Sequence, residues 1–452
     1  MKNGNPWTRR DFMAMPAAFW AASQLSPAGL LFAEAPAAAK GKLITRELGK
    51  TGITIPVVSM GDPREDAPGL IRRAYESGIR YFDTAADYQE GKNEILLGNG
   101  LKALNARKDV VIGTKVLASQ QRANLNSDQA GKLFLEIFER SLKNLQTDYI
   151  DVLYFHQVDD PKDVSMEGPL KVMQDLKKQG KVRAIGVSMH TAEPVLAEVV
   201  RLGVHDAVLF PFNLSIGADP KLMAAMEAAH KKGIGIVAMK TTAGNMGVPG
   251  GGGGAPGGGG APGGAGGGAP GGAGGAGAQA GGPGGAGGGA PSGGGGPEGG
   301  GRQEKAVTGV TRSALLKWVL QHESVTSLIS AFATYDQLDQ NMAVAYDLAF
   351  TDEEKKIISD KKLAASLGFC HQCRQCVATC PQGAEIPTLM RTHMYAMNYY
   401  PGTGHPHETL ASIPAGRGLE ACAKCATCNA SCAWHVNIPR KIAQLQAWRQ
   451  SV

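Results

Sequence analysis

Cysteine is absent from the first 369 residues, and all eight cysteines lie between Cys370 and Cys432. Outside that stretch the chain can form neither a disulfide nor a thiolate metal site. No run of lysine and arginine forms a nucleic-acid-binding stripe, and the formal net charge of +6 is modest, which argues against a nucleic-acid-binding protein. With 43% hydrophobic residues over 452 positions, the chain can bury the cores of two or three domains.

Glycine is concentrated in one segment of the chain. Of the 62 glycines, 35 fall between Gly244 and Gly301, and the rest of the chain has the content of an ordinary globular protein. The segment 244–302 runs GGGGAPGGGGAPGG and similar, has nothing to bury, and is predicted to be a flexible coil stiffened by proline. A phosphate-binding glycine loop is a poor interpretation, because the segment is far too long and lacks Lys-Ser/Thr at the required offset.

Short apolar runs alternate with amphipathic helical stretches from Leu43 onwards. An opening hairpin is followed by eight candidate strands: VVSMG, RYFDTA, DVVIGTKV, YIDVLYFHQ, VRAIGVSM, AVLFPFN, GIGIVAMKT and SLISAF. Between them, apolar residues recur at three- and four-residue steps, which is typical of helices that pack on one face. The pattern predicts an α/β fold, a (β/α)8 TIM barrel over residues 43–350 with the insert 244–302 inside it. A doubly wound sheet is the alternative, but no G-x-G-x-x-G follows the first strand.

Polar side chains stand at the carboxyl ends of three consecutive candidate strands, which is where barrel enzymes carry their function. FDTAADY supplies Asp83 and Tyr88, IGTKV supplies Lys115, and LYFHQ supplies His156. A buried Lys–Asp pair beneath a tyrosine is expected to lower the tyrosine pKa toward working pH, so that the hydroxyl can protonate a carbonyl oxygen as hydride arrives. Each residue alone is more often structural, but four on one face indicate a catalytic site.

This set resembles the aldo-keto reductase family, through FDTAADY with Glu94 six residues on, GTK, the histidine of strand 4, IGVS and GIGIVAMK. The resemblance implies a nicotinamide cofactor that lies across the barrel mouth without a Rossmann fold. It implies a catalytic tetrad of Asp83, Tyr88, Lys115 and His156, and cofactor contacts at Ser188, Asn213, Lys240 and Asn341. The stretch AFATYDQL holds no lysine or arginine that would bind a 2′-phosphate, so the choice between NAD and NADP stays open.

Two cysteine runs, CHQCRQCVATCP and CAKCATCNASC, share the spacing C-x2-C-x2-C-x3-C. This spacing packs thiols too tightly for mutual disulfides, and structural zinc prefers paired C-x2-C knuckles, so iron–sulfur ligation is favoured over both. The runs resemble a dicluster ferredoxin-type domain, here over residues 360–452. The resemblance implies two 4Fe–4S clusters, one on Cys370, Cys373, Cys376 and Cys432 and the other on Cys422, Cys425, Cys428 and Cys380. The histidines between the runs, His393, His405 and His407, are expected to be surface or linker residues.

Residues 1–42 are predicted to be a targeting segment and no part of the fold. Arg9 and Arg10 precede a weakly apolar stretch, and Ala-x-Ala sites follow at residues 33–35 and 37–39. The segment resembles a twin-arginine export signal, with a general secretory signal or an uncleaved anchor as the alternative. Proline and polar residues interrupt the apolar stretch, so no stable membrane span is expected. The implied partner is the twin-arginine translocon, and the implied location is periplasmic or otherwise exported.

These features predict an exported oxidoreductase that interconverts a small-molecule carbonyl and alcohol with NAD(P)(H). Its two clusters are expected to pass electrons to or from a redox protein partner. Two alternatives stay open: a redox scaffold or electron carrier with a non-catalytic barrel, and a reductase whose clusters are only structural. The four-residue set counts against the first alternative, and the sequence does not identify the substrate.

Overall fold

The computed structural model describes residues 41–63, 69–117, 125–242, 310–332, 334–360, 363, 367–399 and 404–451. By its internal contacts the chain divides into two units, Met1–Leu43 and Ile44–Val452, and the fold below is that of the second. The predicted insert 244–302 and all but the last two residues of the predicted signal 1–42 lie outside the described residues. The predicted domain bounds therefore stay predictions.

Eight parallel strands close into a barrel, as the sequence predicts. They are β3 (Val58–Gly61), β4 (Tyr81–Asp83), β5 (Val111–Val116), β6 (Ile150–Phe155), β7 (Val182–Ser188), β8 (Ala207–Pro211), β9 (Gly235–Met239) and β10 (Val325–Ser330). Each strand pairs with its sequence neighbours, and β10 pairs with β3 to complete the ring. The strands are buried almost throughout, because one face fills the barrel and the other faces the surrounding helices. The (β/α)8 fold class is thus confirmed.

Amphipathic helices surround the barrel. They are α1 (Gly69–Ser77), α2 (Lys92–Ala103), α3 (Ser127–Leu145), α4 (Glu167–Lys178), α5 (Ala192–Leu202), α6 (Pro220–Lys231), α7 (Arg312–Leu320) and α8 (Tyr335–Val344). Local signals fix their ends. Asn126 and Gln129 form a capping box at the start of α3, and Gly203 ends α5 in the left-handed conformation.

An antiparallel hairpin, β1 (Thr45–Glu47) and β2 (Thr54–Pro56), precedes the barrel, as the sequence predicts. Leu48 and Ile55 from this hairpin pack in one cluster with Tyr81 and Tyr154, whose hydroxyls are 3.2 Å apart. All four side chains are fully buried, and burying such a side chain stabilises the fold by about 1.5–3 kcal/mol. The hairpin therefore belongs to the barrel core.

Two glycines make room for these tyrosines. A Cβ on Gly113 of β5 would lie 2.3 Å from the Tyr81 hydroxyl, and a Cβ on Gly186 of β7 would lie 2.8 Å from the Tyr154 ring. Real Cβ atoms essentially never lie this close to another heavy atom. Any side chain there would therefore displace an aromatic ring inside a packed core. The glycine of the GTK sequence thus has a packing role on the inner face of the barrel.

A small helical module follows the barrel. Helix α9 (Asp352–Ile358) packs on α7 of the barrel. The helices of the module are α10 (Ile386–Met394), α11 (His405–Ala411), α12 (Leu419–Cys422) and α13 (Ile438–Ser451). Leu389 of α10 and Leu445 of α13 are fully buried in its core. Five of the eight cysteines are partly buried and pack against this core. Arg374 and Arg417 both pair with Glu385, which ties the first cysteine loop to the segment before the second. The module therefore has a core of its own, built around the cysteine loops.

Candidate active site

The strand-end residues predicted from the sequence converge at the carboxyl ends of the barrel strands. Asp83 ends β4, and Lys115 lies in β5, one strand further round the barrel. The Lys115 ammonium donates to the Asp83 carboxylate and to the Thr84 carbonyl oxygen, the latter at 2.7 Å. Both charged side chains are only 1% exposed, and such burial is tolerable because each satisfies the other. The pair forms the floor of the site.

Tyr88 lies directly above this pair. The Lys115 ammonium is 4.6 Å from the centroid of the Tyr88 ring, and the His156 ring meets the same ring edge-on with centroids 5.8 Å apart. His156 is oriented by Asp87, whose carboxylate lies 3.1 Å from the histidine Nδ1. The four predicted catalytic residues therefore form one contiguous cluster, and Asp87 joins it as a residue that the sequence reasoning missed. Its position directly before Tyr88 was the available signal.

The expected lowering of the Tyr88 pKa is wrong for this environment. Burial raises the pKa of the Tyr88 hydroxyl well above its usual value, and the nearby carboxylates of Asp83, Asp62 and Asp87 raise it further. Burial also raises the pKa of Asp83, and the Lys115 ammonium opposes that rise. The sequence reasoning counted the lysine but neither the other two carboxylates nor the burial of the ring. Tyr88 is consequently a neutral hydroxyl, suited to donating a proton.

A cavity of about 390 Å³ opens above the cluster. The residues that line it include all four of the predicted catalytic set and two of the predicted cofactor contacts, Ser188 and Lys240. Ser188 ends β7, and its hydroxyl accepts the backbone N–H of Gln157 at 3.3 Å. Since Ser188 still has its own proton to donate, it remains available to a ligand.

The other two predicted cofactor contacts do not line this cavity. The Asn213 side chain donates to the Lys240 carbonyl oxygen and accepts the backbone N–H groups of Ser215 and Ile216, so it holds together the turns after β8 and β9. Asn341 of α8 donates to Ser330 at 2.8 Å, and its buried Oδ1 has no hydrogen-bond partner within the described part of the chain. The structure thus brings Ser188 and Lys240 to the cavity of the predicted catalytic residues and sets Asn213 and Asn341 apart from it.

A second polar cluster lies along the same cavity. The Lys240 ammonium is 3.1 Å from His190 Nε2, and the other ring nitrogen of His190 is 3.6 Å from Asp159. Burial lowers the pKa of Lys240 to about 7, with the Arg391 charge adding to the effect. Burial lowers the pKa of His190 to about 3, so this imidazole is neutral. Although burial opposes it, hydrogen bonding to His190 and the charge of Arg391 hold the pKa of Asp159 well below its usual range.

The C-terminal module supplies part of the cavity wall, through Arg391, Tyr395 and His405. Arg391 of α10 donates to Asp159 at 3.2 Å, and Tyr395 lies one turn further along, with its ring 5.2 Å from the Lys240 ammonium. His405 begins α11, and its ring meets the Tyr88 ring edge-on. The expectation that His405 is a surface or linker residue is therefore wrong, because the module is packed over the strand ends.

The other two histidines of the link differ from each other. His393 is 4% exposed and lies 2.8 Å from Gln444, so it belongs to the module core and not to the surface. His407 is exposed and packs beside Trp448, as expected of a surface residue. Sequence spacing gave no signal for the positions of His393 and His405, since both depend on how the module folds and docks.

The eight thiols fall into two groups that mix the two cysteine runs. Burial raises the pKa of Cys370 to about 12, and the neighbouring thiols Cys376, Cys432 and Cys373 raise it as well. Burial raises the pKa of Cys422 to about 11, and its neighbouring thiols are Cys380, Cys428 and Cys425. The last cysteine of each run thus lies with the first three of the other run. This is the arrangement that the ferredoxin resemblance implies.

Residues 59–248 match the Aldo/keto reductase family, and residues 369–437 match the 4Fe-4S dicluster domain. The chain contains an aldo/keto reductase domain and a 4Fe–4S dicluster domain. The first match begins in β3 and ends beyond β9, and the second covers both cysteine runs. An oxidoreductase is the protein class that these two domains support together.

Known proteins resemble the barrel part of the chain. It is 28% identical over 213 residues to L-galactose dehydrogenase of Arabidopsis thaliana, and this alignment covers 43% of this chain and 64% of the relative. It is 37% identical over 123 residues to aldo-keto reductase YhdN of Bacillus subtilis, and this alignment covers 27% of this chain and 37% of the relative. The chain thus spans less than two thirds of the length of either relative.

A solved structure carries the same fold. The aldo-keto reductase AKR11C1 from Bacillus halodurans is 21% identical, with a TM-score of 0.51, and the comparison covers 74% of this chain and all of that one. At this identity the likeness concerns the barrel architecture alone. Among the helices within the described residues, none combines the length and the apolar character needed to cross a membrane.

Proposed function

We propose that the aldo/keto reductase domain interconverts a carbonyl and an alcohol with a nicotinamide cofactor. The observation that carries this proposal is that one cavity is lined by all four of Tyr88, Lys115, Asp83 and His156. A carbonyl oxygen that gains a proton needs a neutral hydroxyl as the donor. It is helped by a buried ammonium beneath that hydroxyl and an imidazole beside it. When bound, the nicotinamide would supply hydride to the carbonyl carbon or accept it from the alcohol.

In the reduction direction, Tyr88 donates its proton to the carbonyl oxygen as negative charge develops there. An alkoxide is a far stronger base than a phenolate, so a tyrosine whose pKa is raised still transfers its proton downhill. The Lys115 ammonium, 4.6 Å from the ring centroid, stabilises the tyrosinate that remains. His156, held by Asp87, orients the carbonyl oxygen toward the hydroxyl.

Several features of the barrel fit a nicotinamide dinucleotide. The Ser188 hydroxyl on the cavity wall can hydrogen-bond a carboxamide, and the buried, unpartnered Oδ1 of Asn341 can accept from an amino group such as that of adenine. Asn213 does not support such a contact, because its amide is already used by three backbone groups. The choice between NAD and NADP remains part of the test.

The two groups of four thiols fit two 4Fe–4S clusters, since each group offers four sulfur donors, the ligand set that such a cluster takes. We infer that these clusters, when bound, supply one-electron transfer to or from a redox protein partner. A structural role is the second candidate, favoured by one observation. Cysteines of both groups pack against the apolar core of the module, where a cluster would also staple the fold.

Export by the twin-arginine route is a further part of the proposal, and with it a periplasmic or otherwise exported location. It rests on Arg9 and Arg10 and on the small-residue sites that follow them. Replacing both arginines by lysine should retain the protein in the cytoplasm, as cell fractionation would show. Unchanged export of that variant would refute twin-arginine recognition.

The function is tested most directly on full-length protein purified without oxygen. We expect a nicotinamide nucleotide in the supernatant after denaturation, identifiable by mass as NAD or NADP, and oxidation of the reduced form by carbonyl compounds. Absence of bound nucleotide, together with no turnover of either reduced form across a carbonyl panel, would contradict the proposal. Reduction of the clusters by alcohol substrate, followed by their visible absorbance, separates electron transfer from a structural role.

A further inference from the structure

Lys240 is a partly buried cation that lines the cavity. It follows β9 directly, in the left-handed backbone conformation. Its ammonium contacts the neutral His190 ring at 3.1 Å, the Met239 sulfur at 3.7 Å and the Tyr395 ring at 5.2 Å. Within the described ranges of the chain, no carboxylate oxygen forms an ion pair with it. A lysine partly withdrawn from solvent is stabilised by an anionic partner, and here a ligand in the cavity can provide one.

Arg391 presents a second cation to the same cavity from the other domain. Its side chain is 7% exposed, and among the described residues its one contact with a carboxylate uses Nη1 on Asp159 at 3.2 Å. A guanidinium has five N–H donors in a planar fork, so most of its donors remain for a ligand. Asp159 thus contacts Arg391 directly and reaches Lys240 only through the His190 ring, which lies 3.6 Å from Asp159 and 3.1 Å from Lys240.

The arrangement carries more positive than negative charge. Asp159 contributes one negative charge, His190 is neutral, and Lys240 and Arg391 each contribute one positive charge while protonated. Around Tyr88 the balance differs, because Lys115 is paired with Asp83 and the carboxylates of Asp62 and Asp87 also lie there. An anionic group would therefore lie by preference beside Lys240 and Arg391, with the reacting carbon toward Tyr88.

We propose that Lys240 and Arg391 form a cross-domain site for a carboxylate group on the carbonyl or alcohol substrate. The substrate class is thus an oxo acid and the corresponding hydroxy acid. This inference rests on the proposed carbonyl–alcohol chemistry and adds a role for the dicluster domain, which supplies Arg391. Arginine recognises a planar carboxylate with two parallel hydrogen bonds, while lysine acts as a point charge.

The test measures binding apart from turnover. Malonate, an unreactive dicarboxylate, is titrated into the full-length, cluster-loaded protein by calorimetry. Lys240→Met and Arg391→Met should each weaken malonate binding by about 10- to 100-fold, the size expected for a lost charged hydrogen bond. Lys240→Arg, which keeps the charge, should bind close to the wild-type level. Lys171→Met, at an exposed lysine paired with Asp175 on α4, is the matched control.

Outcomes separate this inference from the proposed function. Unchanged malonate affinity in Lys240→Met and Arg391→Met would overturn it, whatever the enzyme reduces. Tighter binding of inorganic phosphate than of malonate would overturn the carboxylate assignment. Loss of NAD(P)H affinity in Lys240→Met, with malonate affinity kept, would assign the lysine to the cofactor and also overturn it. In turnover, Lys240→Met should raise KM for pyruvate by about tenfold more than it raises KM for acetone, which has no carboxylate.

Discussion

The ring of His405 meets the ring of Tyr88 edge-on, with centroids 5.9 Å apart and an angle of 83° between the planes. One residue comes from the link between the two cysteine runs, and the other from the barrel. His405 also lies 3.9 Å from the Asp62 carboxylate of the barrel. The dicluster domain therefore covers Tyr88, the proposed proton donor, and a substrate must reach Tyr88 beside its residues.

We expect His405→Ala to lower kcat/KM for carbonyl reduction by about tenfold, because an aromatic contact worth about 1 kcal/mol is lost and water gains access to Tyr88. Hydrogen exchange of residues 84–91 should become faster in the same variant. His407→Ala, two residues further on and exposed beside Trp448, is the control and should change neither quantity. Equal exchange in both variants would contradict the covering role.

Tyr88→Phe should reduce the rate of carbonyl reduction by about 100- to 10,000-fold, because the proton donor is removed while the ring remains. Binding of the reduced nucleotide, followed by its fluorescence, should stay unchanged. Tyr335→Phe, at an exposed tyrosine that begins α8, provides the matched control. Full activity of Tyr88→Phe would exclude the proposed mechanism.

The sequence predicted those parts of the molecule that depend on local pattern. Strand ends and the five-residue step from Asp83 to Tyr88 were sufficient to predict that the four strand-end residues meet, because barrel topology brings neighbouring strand ends together. It could not predict Arg391 or His405 in the cavity. Their positions depend on how two domains dock, and no periodicity records that. The pKa of Tyr88 was mispredicted for a similar reason, since burial and the carboxylates of Asp62 and Asp87 outweigh the lysine.

Binding of an anionic substrate should depend on pH through Lys240. Its pKa is lowered to about 7, chiefly by burial, so the ammonium form predominates below that pH and is lost as pH rises through it. The groups that face it are Arg391, Asp159, Lys115, His190 and Tyr395. We expect KM for an oxo acid to rise above about pH 7, and to rise less in Lys240→Arg, whose guanidinium stays charged. A KM profile that is flat in both proteins would contradict this dependence.

Gly113→Ala should destabilise the barrel by about 1–3 kcal/mol, because the new methyl group overpacks a core in which Tyr81 is fixed. Urea unfolding of the cluster-loaded protein, compared with wild type, gives the change in midpoint. Gly404→Ala is the control, since among the described residues the added Cβ would meet only the end of the Glu408 side chain, at 3.5 Å. A loss of stability as large at position 404 as at 113 would contradict this packing argument.

The grouping of the thiols leads to a prediction that distinguishes crossed ligands from two self-contained runs. Cys380 follows the first run but lies with Cys422, Cys425 and Cys428, and Cys432 follows the second run but lies with Cys370. With two clusters, anaerobically purified protein should hold about eight iron atoms per chain. Cys380→Ser should leave about four, retained by the group around Cys370. Adding Cys422→Ser to Cys380→Ser should remove no further iron, because both ligands serve one cluster, whereas adding Cys370→Ser should remove the rest.

If Cys380→Ser combined with Cys370→Ser kept about four iron atoms, each run would hold its own cluster and the crossed arrangement would be wrong. Zinc in place of iron in the wild-type protein would refute the cluster assignment itself.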